Sequence, residues 1–268
     1  MVNSPGNRGE LVDQLERAVL EATSGELPHG VPLRVTKAAV SRSGGCPVRW
    51  RTEQARAFQW SRAAAVGTLT HRAIQLGMFW PDPDTGPGVW VRAAFESPGR
   101  DELADWMVGH EDPDMLGEVL ELVGVFAESG VRERAANAAV EAGTLVELFD
   151  GRVVLPGRVD MRCDLDGRRV LIDWKSGAER AEYRTELAHY ALLEACRGWR
   201  PDRVIGWNLR SGHRDEFEVD GRVLEGAVDG VARAVARMLG WRDVAPSPDP
   251  SHGCGWCPTV GCPAREVS

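Results

Sequence analysis

Gly157-Arg158-Val159-Asp160 and Leu171-Ile172-Asp173-Trp174-Lys175 lie on either side of Asp166-Gly167, and these three stretches decide the fold. Asp-Gly between two apolar-rich runs is a hairpin signal. With those two residues as the loop, Leu165 pairs with Arg168, and counting back along both strands sets Asp160 opposite Asp173. Directly opposed residues share a face, with Cβ atoms roughly 4.5–5.5 Å apart. Two carboxylates held that way repel unless something positive sits between them. Asp173 and Lys175 are two apart on a strand, so they also share a face. Two acids and a lysine converging on one sheet face make a metal-dependent hydrolytic site. Hard carboxylate oxygens suit Mg²⁺ or Mn²⁺, and Ile172 and Trp174 flank Asp173 with the apolar bulk of an internal strand.

Gly-x-x-Asp followed by apolar-apolar-Asp-x-Lys-Ser-Gly resembles the PD-(D/E)XK nuclease superfamily. More closely it resembles the RecB-like branch, which includes the CRISPR-associated iron–sulfur exonuclease and the nuclease domain of AddB. Other motifs follow in the expected order. Gly67-Thr-Leu-Thr-His71 resembles the upstream histidine motif, and Glu186-Leu-Ala-His-Tyr190 the downstream Gln-x-x-x-Tyr motif. Cys46-Pro47 with Cys254, Cys257 and Cys262 resembles that branch's split iron–sulfur signature. The resemblance implies His71, Asp160, Asp173 and Trp174 around the metal. It implies Asp160, Asp173, Lys175, Glu186 and Tyr190 as the catalytic set. Lys175 would orient the attacking water or offset charge on the phosphate. Glu186 and Tyr190 lie four apart on one helical face. Glutamate stands there where glutamine is usual; it could pair with Lys175, but it would also repel phosphate. Without the resemblance, Leu187, Tyr190 and Ala191 read as a core stripe. Glu147 reads as a solvent-facing strand residue or an acid behind the site.

A chain of 268 residues can bury one sizeable core. The expected organisation is a single nuclease domain over 1–263, with a loop and helical insertion at 81–143. A cysteine tail at 246–263 would close onto Cys46, and 264–268 would form a short end. No apolar run approaches membrane-spanning length, and Met-Val-Asn-Ser-Pro-Gly lacks the features of a signal peptide, so a cytoplasmic location is expected. The net charge of −8 argues against a non-specific DNA coat, and DNA binding needs a local basic groove. Of 32 Lys plus Arg, only Lys37 and Lys175 are lysine. One of the two falls in the Asp-x-Lys motif, where arginine's planar fork would replace the compact ammonium poorly.

Apolar periodicity predicts helices over Leu11–Thr23, from Thr36 to a stop at Ser43-Gly44-Gly45, over Glu53–Met78, Glu102–His110, Met115–Ala142, Tyr183–Cys196 and Arg222–Trp241. Pro81–Pro98 reads as a loop. Strands are expected over Leu145–Phe149, Val153–Cys163, Arg169–Trp174, Arg203–Leu209 and Glu216–Val219. Strands flanked by helices give an α/β sandwich around a mixed sheet. This agrees with the restriction-endonuclease-like core that the resemblance implies.

Cys254, Cys257 and Cys262 follow the extended linker Pro246–Pro250. Six cysteines in a cytosolic chain suggest metal or cluster ligation before disulfides. Three thiolates are one short of a closed site, and Cys46 supplies the fourth in the resemblance. Thiolates select a 4Fe–4S cluster or zinc, and His252 is the alternative zinc ligand. Cys163 and Cys196 read as core thiols. No Walker A sequence occurs, so the chain is not itself a helicase–nuclease, although it could partner one. The function expected is a metal-dependent DNase, an exonuclease on single-stranded DNA, in repair, recombination or defence. The rivals are a CRISPR spacer-acquisition nuclease acting with an integrase and a DNA-binding scaffold with a weak site.

Overall fold

The Asp166-Gly167 turn forms as the sequence predicts. Both residues have positive φ, 52° and 78°, as the favoured two-residue hairpin turn requires. They join β3 (Val153–Leu165) to β4 (Arg168–Lys175). The ladder starts at Leu165↔Arg168 and ends at Met161↔Ile172. The next step in that register is Asp160 against Asp173.

The computed structural model describes residues 6–42, 46–110, 112–178, 182–241, 248, 254, 257 and 259–262. Before the hairpin come α1 (Gly6–Ala22), β1 (Leu33–Arg34), α2 (Lys37–Arg42), α3 (Pro47–Ala55), α4 (Arg62–Met78), α5 (Pro87–Glu96), α6 (Asp101–Val108), α7 (Pro113–Glu128), α8 (Val131–Arg134) and β2 (Ala135–Leu148). After it come α9 (Tyr183–Cys196), β5 (Arg203–Asn208), β6 (Arg214–Glu218) and α10 (Gly221–Gly240). The sheet is six-stranded and mixed. β2 runs antiparallel along one edge of β3. The other edge takes β1 in parallel at Val153 and Val154, then β4 at 161–165. β4 and β5 are parallel, with α9 as their crossover, and β6 closes the far edge antiparallel to β5.

Each face of the sheet carries its own core. Leu155, Val159, Leu171 and Val204 pack with α1, α2, α9 and α10. Met161, Ile172, Trp174 and Trp207 pack with α4, α5 and α7. Side chains two apart on a strand should share a face, yet Val159 belongs to the first core and Met161 to the second. On β2, Ala142 packs against the first core and Val140 against the second. The β2–β3 ribbon therefore turns over between these pairs, at Glu141 and Asp160.

Helix α9 sits close on the sheet because two glycines make room for it. A Cβ at Gly157 would lie 2.6 Å from Leu193 Cδ1 and 3.4 Å from Tyr190 Cδ1, and one at Gly206 would lie 2.8 Å from Leu187 Cδ1. Arg162 reaches across from β3 to Glu194 at 2.7 Å, tying the helix to the strand. Gly67 does the same for α4: its Cβ would meet Ser176 Oγ at 3.0 Å.

Several expected elements form differently. The helix expected over Met115–Ala142 stops at Glu128; Gly130 takes φ 68°, and 135–148 is strand. The alanine-rich run favours a helix intrinsically, but pairing along the whole of β3 outweighs it. The expected insertion at 81–143 thus ends inside the sheet. Its loop at Pro81–Pro98 contains α5, begun rather than broken by Pro87, with Trp90, Val91 and Ala94 buried. The helix expected over Glu53–Met78 is two, interrupted before Ser61, whose side chain accepts from Ala64 N and caps α4. Ser43-Gly44-Gly45, His252, 264–268 and nearly all of Pro246–Pro250 lie outside the described residues. No helix among the described residues is long and apolar enough to cross a membrane.

Gly157→Ala should destabilise the protein by about 1–3 kcal/mol, the usual cost of forcing atoms into a packed core. Gly143→Ala, on the neighbouring strand with no atom within 4 Å of the added Cβ, should stay within about 0.5 kcal/mol. Denaturant midpoints of the two variants make the comparison. Equal midpoints would mean that α9 is not seated through Gly157.

Candidate active site

The site begins with an acid row across three strands. Between Val140↔Met161 and Ala142↔Val159, the register sets Glu141 against Asp160. On the other side Asp160 faces Asp173, and Asp173 lies beside Gly206 of β5. Glu141, Asp160 and Asp173 thus lie on adjacent strands where the ribbon turns over. Asp160 and Asp173 are both buried, at 7% and 1% exposure. Burying a charge is costly unless it is paired, so each carboxylate has a dedicated partner.

His71 partners two of them. Its Nδ1 lies 3.3 Å from Asp160 Oδ1 and 3.3 Å from Glu141 Oε1. Gly67 and His71 are one turn apart in α4. The glycine's close approach to Ser176 therefore fixes how the histidine meets the sheet. The imidazole also stands edge-on to Trp174, with centroids 6.2 Å apart. Burial works against the imidazolium, but Asp160 and then Glu141 outweigh it and hold the His71 pKa up at about 10. Asp160 also accepts the Trp174 backbone N–H at 2.6 Å. Burial would raise its pKa, but His71 leads a set of neighbours that hold it below the ordinary value.

Asp173 leans the other way. Burial and then Asp160 push its carboxyl up, and the Lys175 ammonium in contact with it pulls back. Two adjacent carboxyls with oppositely shifted pKa values divide the roles of an acid pair. Ligand atoms of His71, Glu141 and Asp160 all fall within 4.8 Å of one another, which suits one divalent cation. Imidazole and carboxylate together favour Mn²⁺ somewhat over Mg²⁺.

Each predicted residue now has a place. His71, Asp160, Asp173 and Lys175 converge. Trp174 is 1% exposed and lies in the second core. Its indole carries no lone pair to offer a metal, and its contribution to the site is the amide donated to Asp160. Glu186 is buried, 4.0 Å from Lys175 Nζ but 3.3 Å from Lys37 Nζ. Tyr190 is both core and site. It is 5% exposed, packs beside Gly157, and has Lys37 Nζ 5.0 Å above its ring. Burial, with Asp173 and Asp160, drives its phenol pKa well up. Glu147 is exposed on β2 and stands apart.

Two site residues escaped the sequence reading. Glu141 lay inside an expected helix. The alternation in Val140-Glu-Ala-Gly-Thr-Leu-Val-Glu-Leu148 was the available signal for a strand. Lys37 stood out only as one of two lysines, and nothing local links it to Glu186.

The cysteines separate into two groups. Cys163 and Cys196 lie in the two cores, and burial pushes the Cys163 thiol up to about 12. Cys46, Cys254, Cys257 and Cys262 are buried at 8–9% exposure, and none is in a disulfide. Cys46 is the N-cap of α3. Further along that helix the Thr52 hydroxyl meets that of Thr259 at 2.8 Å, which brings the tail against α3. Arg49, between them, lies within electrostatic reach of Cys257 and Cys254. Buried thiols beside a cation suit a thiolate-held group.

Comparisons with known proteins agree with this architecture. No curated protein matches the chain. Among solved structures, a candidate exonuclease from Eubacterium rectale superimposes with a TM-score of 0.52 at 12% identity, over 97% of this chain and 94% of that one. The protein SSO0001 gives 0.41 at 17% identity over 94% and 95% of the two chains. VC1899 from Vibrio cholerae gives 0.28 at 11% identity over 90% and 57%. The first likeness speaks for the fold alone, and the other two add no argument. A family model for the PD-(D/E)XK nuclease superfamily matches residues 35–262. That span takes in the acid-bearing hairpin and both helices that serve it, so the chain belongs to the PD-(D/E)XK nuclease superfamily.

Proposed function

We propose that this nuclease is a metal-dependent DNA exonuclease of the RecB-like branch, acting on single-stranded DNA, with a 4Fe–4S cluster held by Cys46, Cys254, Cys257 and Cys262. The observation that carries the reading is the acid row. Glu141, Asp160 and Asp173 lie on neighbouring strands, with His71 beside the first two and Lys175 on the third.

His71, Glu141 and Asp160 would hold the metal, with Asp173 completing the set. When bound, the metal supplies Lewis acidity toward a phosphate oxygen and acidifies bound water. Lys175 pulls back against the rise that burial and Asp160 impose on the Asp173 carboxyl, and offers a donor where the attacking water must be oriented. Trp174 N–H fixes the Asp160 carboxylate so that one oxygen stays aimed at His71. Tyr190 and Trp174 back the site with apolar bulk that excludes water from one side. The cysteine set would close the N-terminal and C-terminal segments around the nuclease core.

The deciding assay is cleavage of end-labelled single- and double-stranded DNA with Mn²⁺ or Mg²⁺. Asp173→Asn should lower cleavage at least about a hundredfold, given the several kcal/mol that a metal centre supplies. The fold should hold, because a like charge next to Asp160 is removed. An active, metal-replete Asp173→Asn would refute the site.

Glu141→Gln should raise the Mn²⁺ concentration for half-maximal activity by about tenfold or more, since even groups behind the ligands cost that much. An unchanged metal requirement would place Glu141 outside the metal shell.

Anaerobically purified protein should be brown and carry roughly four irons per chain, as four thiolates imply. Cys46→Ala should lose iron and melt lower than either Cys163→Ala or Cys196→Ala. It gives up both metal-binding free energy and the closure of a long loop. Zinc in place of iron on elemental analysis would refute the cluster. A Cys46→Ala protein that keeps its iron and its Tm would show that the two chain ends share no site.

A further inference from the structure

The chain has two lysines and two tyrosines, and all four meet at one place. Lys37 Nζ stands 5.0 Å above the ring of Tyr190, and Lys175 Nζ stands 4.9 Å above that of Tyr183. Both tyrosines belong to α9, and the carboxylate between them, Glu186, is shared. Its Oε2 lies 3.3 Å from Lys37 Nζ and 4.0 Å from Lys175 Nζ. The two ammonium groups differ in what else they do. Lys175 is in contact with Asp173, and its side chain is 16% exposed. Lys37 is 33% exposed along its side chain, and among the described residues its one close carboxylate is Glu186. It is the first residue of α2, where the Thr36 hydroxyl accepts from Ala39 N at 3.3 Å and opens the helix. Its charge is felt by Asp173, Glu186 and Asp160, in that order.

Charge balance gives Lys37 a task. Glu141, Asp160, Asp173 and Glu186 bring four carboxylates to the site. One divalent cation, Lys175 and Arg158, whose Nε lies 2.9 Å from Glu141 Oε2, together match those four charges. A phosphodiester entering such a site adds a negative charge that this set leaves unmatched, and within the set Glu186 has only Lys175 Nζ, at 4.0 Å, beside it. A cation is needed on the Glu186 side. A lysine ammonium, held by a carboxylate and an aromatic face yet partly exposed, is free to exchange one anion for another.

Resting on the nuclease reading above, we propose that Lys37 is a second phosphate-binding cation of the active site. Glu186 keeps its ammonium in place until a non-bridging oxygen of the DNA takes it. Glutamate in the usual glutamine position is then tolerated because it comes with its own lysine. Lys175 serves the acid pair and Lys37 serves the substrate.

The scarcity of lysine makes the test direct. Acetic anhydride can acylate only Lys37, Lys175 and the N-terminus among the amines of the chain, and mass spectrometry reads each separately. Wild-type protein is treated with Ca²⁺ alone, and with Ca²⁺ plus a short single-stranded oligonucleotide. The oligonucleotide should slow acetylation of Lys37 severalfold. In parallel, Lys37→Met should raise the Kd for that oligonucleotide by about tenfold, as loss of a charge-assisted hydrogen bond does. It should also lower the slope of log Kd against log salt by about 0.7, one phosphate's worth of counterion release from a single strand. Its metal requirement should match the wild type. Lys37→Arg, which keeps the charge, should keep the slope. Equal acetylation of Lys37 with and without DNA would overturn the proposal, even if Lys37→Met fails to fold. So would a folded Lys37→Met with wild-type Kd and slope. Wild-type protein that neither binds nor cleaves DNA overturns the nuclease reading and this one with it. Wild-type cleavage with an indifferent Lys37 overturns this one alone.

Discussion

The repulsion between Asp160 and Asp173 is the constraint to which the site answers. A two-residue turn sets their register, and both are buried. At such a separation, away from water, like charges interact by several kcal/mol. The chain answers asymmetrically. His71 approaches Asp160 from the α4 side, and Lys175 meets Asp173 on its own strand. One carboxyl is pulled down in pKa and the other pushed up. A divalent cation would relieve the conflict, so the same repulsion that costs folding free energy favours metal binding.

Two layers of helix reach one point because the β2–β3 ribbon turns over there. On a regular strand Asp160 would face one core only. With the turn-over at Glu141 and Asp160, α4 can supply a histidine from one side, while α2 supplies a lysine and α9 a glutamate from the other. The glycines complete the arrangement. Gly67 lets α4 cross against the end of β4, and Gly157 and Gly206 let α9 settle on the sheet. A bulkier residue at any of these positions would shift the functional side chains relative to the acids as well as strain the core.

What could be read from the sequence follows from locality. The turn chemistry of Asp166-Gly167 fixed which residues oppose which, so the acid pair and Lys175 were legible from a few residues. Helix α9 was legible with its bounds, since its apolar run is ended by Gly198. The helix expected through 135–142 was wrong for a physical reason: alanine reports backbone preference, whereas β2 exists because a long neighbouring strand needs a partner. Glu141 was lost with that strand. Lys37 was noticed by its rarity, but its pairing with Glu186 depends on α2 packing against α9, a contact that no local pattern encodes. The four-cysteine arrangement was expected from resemblance, and Thr52 against Thr259 is one contact between α3 and the tail.

Glu141 has a φ of 53° in the middle of a strand. Left-handed backbone costs a residue with a side chain about 1–2 kcal/mol, and glycine almost nothing. Gly143, two residues on, has no positive φ and nothing near its missing side chain. The conformation that suits glycine therefore falls to a glutamate, and the glycine sits where any residue would fit. A chain shaped for stability alone would exchange the two. That it does not shows where the demand for a carboxylate outranks the ease of the backbone: at the hinge of the ribbon, the chain gives up conformational comfort to keep a carboxylate oxygen facing His71.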